Sequence, residues 1–265
     1  MFLFSQCKSL KNKYQVSMLK YFIRDAFDTM SMGNYPFASS YIAGTAETPM
    51  PPYPVSIACS YLSNATLASS STTSSSLLSA VKESVSVLYN VTGDTSCYDL
   101  PAYPTPVTPG APNDGIWDWQ WCTEMLPDSF WFSTDGVHDM FWLNEYNQTL
   151  IDEHCNLVWG VTPRQQWIRN EYGGRSLLEG HSNIVFSSGG FDGWSSGGIA
   201  TNISERDLTS IMIRRGGHHV DLMFSTKNDP MEVVNARKYE LDAVRRWIDG
   251  YQKRVKVMSW GDLLA

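Results

Sequence analysis

The chain has 265 residues, 43% hydrophobic and 13% aromatic, enough to bury a sizeable core in one large domain or two small ones. Its formal net charge of −7 argues against an electrostatic nucleic-acid binder. No apolar run approaches the roughly 20 residues of a membrane-spanning helix, so no nucleic acid and no membrane is expected as a partner.

The opening, MFLFSQCKSLKNK, places a short apolar run before lysines, the reverse of a secretory leader. From Ser17 to Met32 the spacing of Leu19, Phe22, Ile23, Ala26, Phe27 and Met30 predicts a helix. The turn cluster Gly33-Asn34-Tyr35-Pro36 ends it. A Pro-rich stretch, MPPYPVS, leads to Cys59, and the low-complexity run SSSTTSSS reads as a solvated loop. Leu77, Val81, Val85 and Leu88 mark a second amphipathic helix ending near Asn90. The first third is thus expected to be helical and loop-rich, without strand alternation.

After Cys97 comes a Pro/Gly linker, PAYPTPVTPGAPNDG, and then the aromatic block IWDWQWCTEM. Two short apolar runs follow with strand character, Asn183 to Phe186 and Thr209 to Ile213. Glycine-rich segments close them, SSGGFDGWSSGG and RRGGHHVDL. The last helix is expected to be capped by Asp229, with Pro230 in its first turn and Val234, Leu241, Val244, Ile248 and Tyr251 buried. Strand, loop, helix repeated twice is the rhythm of an α/β sheet, whose functional residues gather at the carboxyl ends of strands.

Four Asn-x-Ser/Thr sequons, at Asn64, Asn90, Asn147 and Asn202, speak for an oxidising compartment. The five cysteines contain no C-x-x-C pair, which gives zinc or redox chemistry little support; no metal and no cofactor is expected. Widely spaced cysteines fit a disulfide framework, and an odd count leaves one unpaired. With no leader in front, these features suggest a truncated chain.

Asp192 and His218 stand just past the two expected strand ends, 26 residues apart. They fit the last two members of a Ser, Asp, His order, in which the acid fixes the imidazole that shuttles the proton. The alternative is that Asp192 caps a turn and the His218-His219 pair merely ends a strand. Gly193-Trp194-Ser195-Ser196-Gly197 matches the nucleophile pattern G-x-S-x-G, but no strand runs directly into it and Ser195 follows the acid. Ser195 is read as a decoy. His138 and His154 are expected on surfaces.

Seven stretches in order resemble the family of lysosomal Pro-Xaa carboxypeptidase and dipeptidyl peptidase II. They are RDAFDTMSMGNYPF, YNVTGDTSCYDL, WDWQWCTEM, WGVTPRQQWI, SNIVFSSGGFDGWSSGG, GGHHVDL and the final helix. The resemblance implies the C-terminal portion of an α/β-hydrolase sheet with part of a helical cap, the cap over residues 1–92 and the hydrolase part over 93–265. It implies Asp192 and His218 as triad members, with the nucleophilic serine and the oxyanion hole absent from the chain. Trp194 would wall a proline pocket, Asp118 would hold a substrate's free amine, and Glu124 belongs to the same motif. Without the family, Asp118 reads equally well as a strand-end cap.

The resemblance also pairs Cys7 with Cys97 and Cys122 with Cys155. Peptide substrates with Pro or Ala near a terminus, a lysosomal or secreted parent and a homodimer of the full-length protein complete the implied picture. Asp118 and the Cys97-Tyr98-Asp99 stretch favour the dipeptidyl peptidase branch, with carboxypeptidase activity or an inactive fragment as alternatives. Two departures touch the site: Gly193 replaces a usual proline, and Met223 stands where an arginine usually follows.

Overall fold

A computed structural model describes residues 7–67, 73–100, 114–124, 142, 147–202 and 206–261. The helices are α1 (Lys13–Met32), α2 (Pro54–Leu67), α3 (Ser74–Tyr89), α4 (Asp114–Thr123), α5 (Gln148–Trp159), α6 (Trp167–Glu171), α7 (Leu177–Gly180) and α8 (Met231–Gly261). The strands are β1 (Ser39–Gly44), β2 (Pro49–Met50), β3 (Ile184–Gly189) and β4 (Leu208–Ile213). They fall into two compact units, residues 1–27 with 58–180, and residues 28–57 with 181–265.

In the first unit, Ser84 donates its buried hydroxyl to the carbonyls of Ala58 (2.7 Å) and Ala80 (2.9 Å), tying α3 to α2. A polar side chain with both contacts satisfied can be buried at little cost. The end of the serine run is not a loop. Its last three residues open α3, and Thr73 and Ser76 form a reciprocal capping box that satisfies the first free N–H groups. Of the expected apolar face, Val85 is fully buried while Leu77 is 42% exposed. Two disulfides, Cys7–Cys97 and Cys122–Cys155, brace this unit, and Cys59 is free. Most of the expected Pro/Gly linker lies outside the described residues.

The second unit is α/β. Strands β3 and β4 pair in parallel, in register from Ile184 opposite Leu208 to Gly189 opposite Ile213. Beside them β1 and β2 form an antiparallel hairpin, a strand pair in the first third that the lack of alternation did not announce. Its bend is set by Gly44 at φ +92°, where an added Cβ would stand 2.8 Å from the Thr48 carbonyl oxygen. The core gathers Tyr35, Ile213, Val220, Val233 and Ala236.

The final helix packs by a different face from the expected one. Val233, Ala236 and Ala243 are at most 3% exposed, whereas the stripe Val234, Leu241, Val244, Ile248, Tyr251 runs from 43% exposed at Val234 to 64% at Tyr251. Asp229 does not cap α8 either. It turns back to accept from the Thr226 N–H and hydroxyl, each at 2.9 Å, and from Arg237. No helix among the described residues is long and apolar enough to cross a membrane.

Candidate active site

Parallel pairing puts the carboxyl ends of β3 and β4 side by side; β3 ends on Gly189 followed by Gly190, and β4 leads through Arg214 and Arg215 to Gly216 and Gly217. These glycines are required by contact. A Cβ on Gly189 would lie 2.5 Å from the Gly216 carbonyl oxygen, and one on Gly190 would lie 2.4 Å from that of Arg214. A Cβ on Gly217 would lie 2.7 Å from the Met32 oxygen. Backbone bonds made across this gap, Gly190 N–H to the Ile213 carbonyl (2.8 Å) and Phe191 N–H to the Gly216 carbonyl (2.9 Å), clamp the two loops together.

The loops carry Asp192 and His218 into contact. His218 Nδ1 lies 2.8 Å from Asp192 Oδ2. The side chains are 21% and 9% exposed, so the bond is shielded from water on most sides. Asp192 Oδ1 accepts the Trp194 N–H at 3.1 Å. Asp192 therefore both caps the short 3₁₀ turn Gly193–Gly197 and contacts the His218 imidazole.

The histidine is fixed from its backbone side too. Its N–H donates to the Met32 carbonyl (2.8 Å), and its own carbonyl accepts the Tyr35 hydroxyl (2.7 Å). Burial, then the charges of Tyr41 and Asp192, push the Tyr35 phenol far above its ordinary range, so it stays a donor. His219 takes the left-handed conformation at φ 56°, and its ring lies 3.8 Å from that of His218. A carboxylate accepting at Nδ1 keeps a proton on that nitrogen, and in the neutral ring Nε2 then carries the lone pair.

Ser195 sits inside the 3₁₀ turn, its N–H bonded to the Asp192 carbonyl at 3.1 Å. It is on no strand-to-helix elbow. Among the described residues no serine hydroxyl is bonded to His218. Trp194 is half-buried, and its indole N–H reaches the Met32 sulfur at 3.3 Å. Met223 packs against the core.

Asp118 lies in the other unit, within helix α4 rather than at a strand end. Both its oxygens stand 3.0 Å from His154 Nε2, and Oδ2 also accepts the Trp159 indole N–H at 2.6 Å. His154 is therefore no loose surface residue, and the edge of the Trp121 ring supports it. These partners lie 36 and 41 residues from Asp118, which is why no local motif revealed them.

Cys122 Sγ falls within 4.8 Å of the same Asp118 and His154 atoms, but it is bonded to Cys155 and offers no thiolate to a metal. Glu124 is half-buried just after α4, its N–H bonded to the Gln120 carbonyl (2.8 Å). Of the sequon asparagines, Asn90 and Asn147 cap the end of α3 and the start of α5. Asn202 accepts the Ser210 N–H at 2.7 Å, and Asn64 lies in α2.

Residues 1–240 match the family model described as serine carboxypeptidase S28. The chain belongs to that family. It is 33% identical over 242 residues to the lysosomal Pro-X carboxypeptidase of Homo sapiens, covering 91% of this chain and 45% of that protein. The corresponding Bos taurus protein is 31% identical over 255 residues, 96% of this chain and 47% of the other. A prolyl carboxy peptidase like protein 5 of Caenorhabditis elegans is 28% identical over 247 residues, 90% and 46%. The chain thus spans a little under half the length of the relatives it matches.

Proposed function

We propose that this chain supplies the acid–base half of a serine exopeptidase that acts at proline, with Asp192 orienting His218. The nucleophilic serine comes from the portion of such a protein that this chain does not match. His218 Nε2 takes the serine proton as the hydroxyl attacks the scissile carbonyl, then returns it to the leaving amine. Asp192 holds the tautomer and stabilises the imidazolium. The observation that carries this reading is the shielded 2.8 Å contact between Asp192 and His218 at adjacent parallel strand ends.

Release of a C-terminal residue after proline is the preferred specificity. The Asp118 carboxylate already accepts from His154 and Trp159, which weakens it as a holder of a substrate's ammonium group. Dipeptidyl release after Pro or Ala is the second reading, favoured by the aromatic frame around the same acid. A lysosomal parent, a homodimer, and Trp194 beside the proline pocket belong to the proposal. So do a hydrolase region formed by residues 93–265 and a partial cap formed by 1–92.

The test uses a chimera in which this chain replaces the matched region of the human relative. Turnover of Pro-Phe carboxyl substrates supports the carboxypeptidase reading, and turnover of Xaa-Pro-arylamides alone moves it to the dipeptidyl branch. Turnover of neither rejects both. The chain by itself is expected to show no turnover and no serine labelling by a fluorophosphonate.

A further inference from the structure

Two loops carry the candidate pair, and one residue outside both loops touches each of them. Met32 is the last residue of α1, so its carbonyl is among the helix-end groups that no intrahelical donor reaches. That carbonyl accepts the His218 N–H at 2.8 Å. The approach is tight, because a Cβ on Gly217 would lie 2.7 Å from the same oxygen. Three residues on, the Tyr35 hydroxyl donates to the His218 carbonyl at 2.7 Å. The end of α1 therefore grips the backbone of the histidine from both sides.

The side chain of Met32 turns to the other loop. Its sulfur accepts the Trp194 indole N–H at 3.3 Å. A thioether accepts and never donates, and its unbranched chain adapts to the group it meets. Trp194 is also held at its backbone, where its N–H donates to Asp192 Oδ1 at 3.1 Å. With the 2.8 Å contact between Asp192 Oδ2 and His218 Nδ1, these bonds close a circuit. It runs from Met32 to His218, on to Asp192, on to Trp194 and back to Met32. All four residues belong to the second unit.

We propose that Met32 is a positioning residue whose thioether aims the Trp194 ring beside His218 and so sets selectivity for proline. The role rests on the proposed function, in which His218 is the base and Trp194 stands beside the proline pocket. The bond to Asp192 fixes only the backbone of Trp194, and the indole can still turn about its side-chain bonds. The Met32 sulfur fixes that remaining freedom. Substitution separates the two halves of the residue. The carbonyl that seats His218 is main chain and survives any change of side chain, whereas the acceptor for the indole does not. Met32→Leu removes the sulfur at similar volume, and Met32→Gln puts a side-chain carbonyl in its place.

Two measurements test the role. In the full 265-residue chain, NMR follows the Trp194 indole N–H, assigned by its absence from Trp194→Phe. The low-field proton on His218 Nδ1 reports the bond to Asp192 in the same spectra. Met32→Leu is expected to shift the indole signal and speed its exchange with water while the His218 signal stays. Met32→Gln is expected to restore slow exchange. In the chimera, Met32→Leu should raise KM for a Pro-Phe substrate about 2–12-fold, the range for one net hydrogen bond, with kcat unchanged. An Ala-Phe substrate should be affected less, and Met32→Leu added to Trp194→Phe, which has no indole N–H to lose, should change nothing further.

An unmoved indole signal in Met32→Leu, or equal KM effects on both substrates, overturns the role. A fall in kcat with loss of the His218 signal overturns it too, because Met32 would then be a structural support of the histidine. Should Met32→Leu fail to fold, the cross-peak between the Trp194 indole proton and the Met32 methyl in the unmodified chain decides alone, and its absence overturns the role. No turnover by the unmodified chimera is the separate failure of the proposed function, and the role in selectivity falls with it whatever the indole shows.

Discussion

Replacing Gly189 with alanine tests the geometry that brings the acid to the histidine. The new Cβ meets the Gly216 and Gly217 carbonyl oxygens at 2.5 and 2.6 Å, and both are backbone atoms that cannot rotate away. Reaching ordinary contact near 3.4 Å requires the β3 and β4 ends to part by about 0.9 Å. Carried to the loops, that shift stretches the 2.8 Å bond between His218 and Asp192 beyond hydrogen-bond length.

Overpacking of this kind costs about 1–3 kcal/mol, and each kcal/mol lowers the melting temperature of a chain this size by roughly 2–4 °C. The assay pairs calorimetric melting with the low-field His218 proton signal. Gly180→Ala is the control, because its Cβ would meet nothing within 4 Å. Gly189→Ala should melt several degrees lower and lose the proton signal, while the control changes neither. Equal melting with the signal intact would refute the claim that glycine contact sets the site.

Other expectations follow from single contacts. Asp192→Asn in the chimera should lower kcat by up to roughly 10⁴-fold with little change in KM, because the amide favours the wrong tautomer. Reducing Cys122–Cys155, which closes a loop of 33 residues, should cost roughly 3–4 kcal/mol in a chain-entropy account, read as a drop in urea midpoint. Burial raises the Asp229 carboxyl, but the Thr226 N–H and Arg237 outweigh it and hold it below 3.8. Its stabilisation is present above that value and lost as pH falls through the depressed one. Arg237→Met should therefore move acid unfolding to higher pH in a circular-dichroism titration. The exposed stripe from Val234 to Tyr251 should bind a hydrophobic dye in the isolated chain, and Leu241→Glu with Ile248→Glu should abolish that binding without lowering stability.

The strand–glycine–acid and strand–glycine–histidine stretches were legible because a parallel sheet forces its loops together at one end and glycine punctuates both exits. The disulfide pairs were legible through family resemblance, not through spacing. Local pattern failed where tertiary contact chose between competing faces. On α8 hydropathy favours Val234, Leu241 and Ile248, yet the helix seats itself by Val233, Ala236 and Ala243, with the polar Arg237 and Glu240 among them. Such a face has a weak apolar signal and close packing.

The Asp118–His154–Trp159 group was invisible for a related reason, since its members meet only after α4 and α5 are joined through Cys122–Cys155. The hairpin of β1 and β2 is a short pairing held by its glycine bend, with no alternation to read. Thr73 and Ser76 hid a helix start inside a run that composition alone marks as loop.

The central claim is that Asp192 and His218 are the acid and base of a prolyl exopeptidase. The most direct measurement is release of the C-terminal residue from a Pro-Phe substrate by the chimera and by its His218→Ala variant at equal folded concentration. Turnover in the first, reduced at least about 10³-fold in the second with substrate binding retained, is the predicted result. Equal turnover in both would remove His218 from the chemistry and with it the proposed role of Asp192.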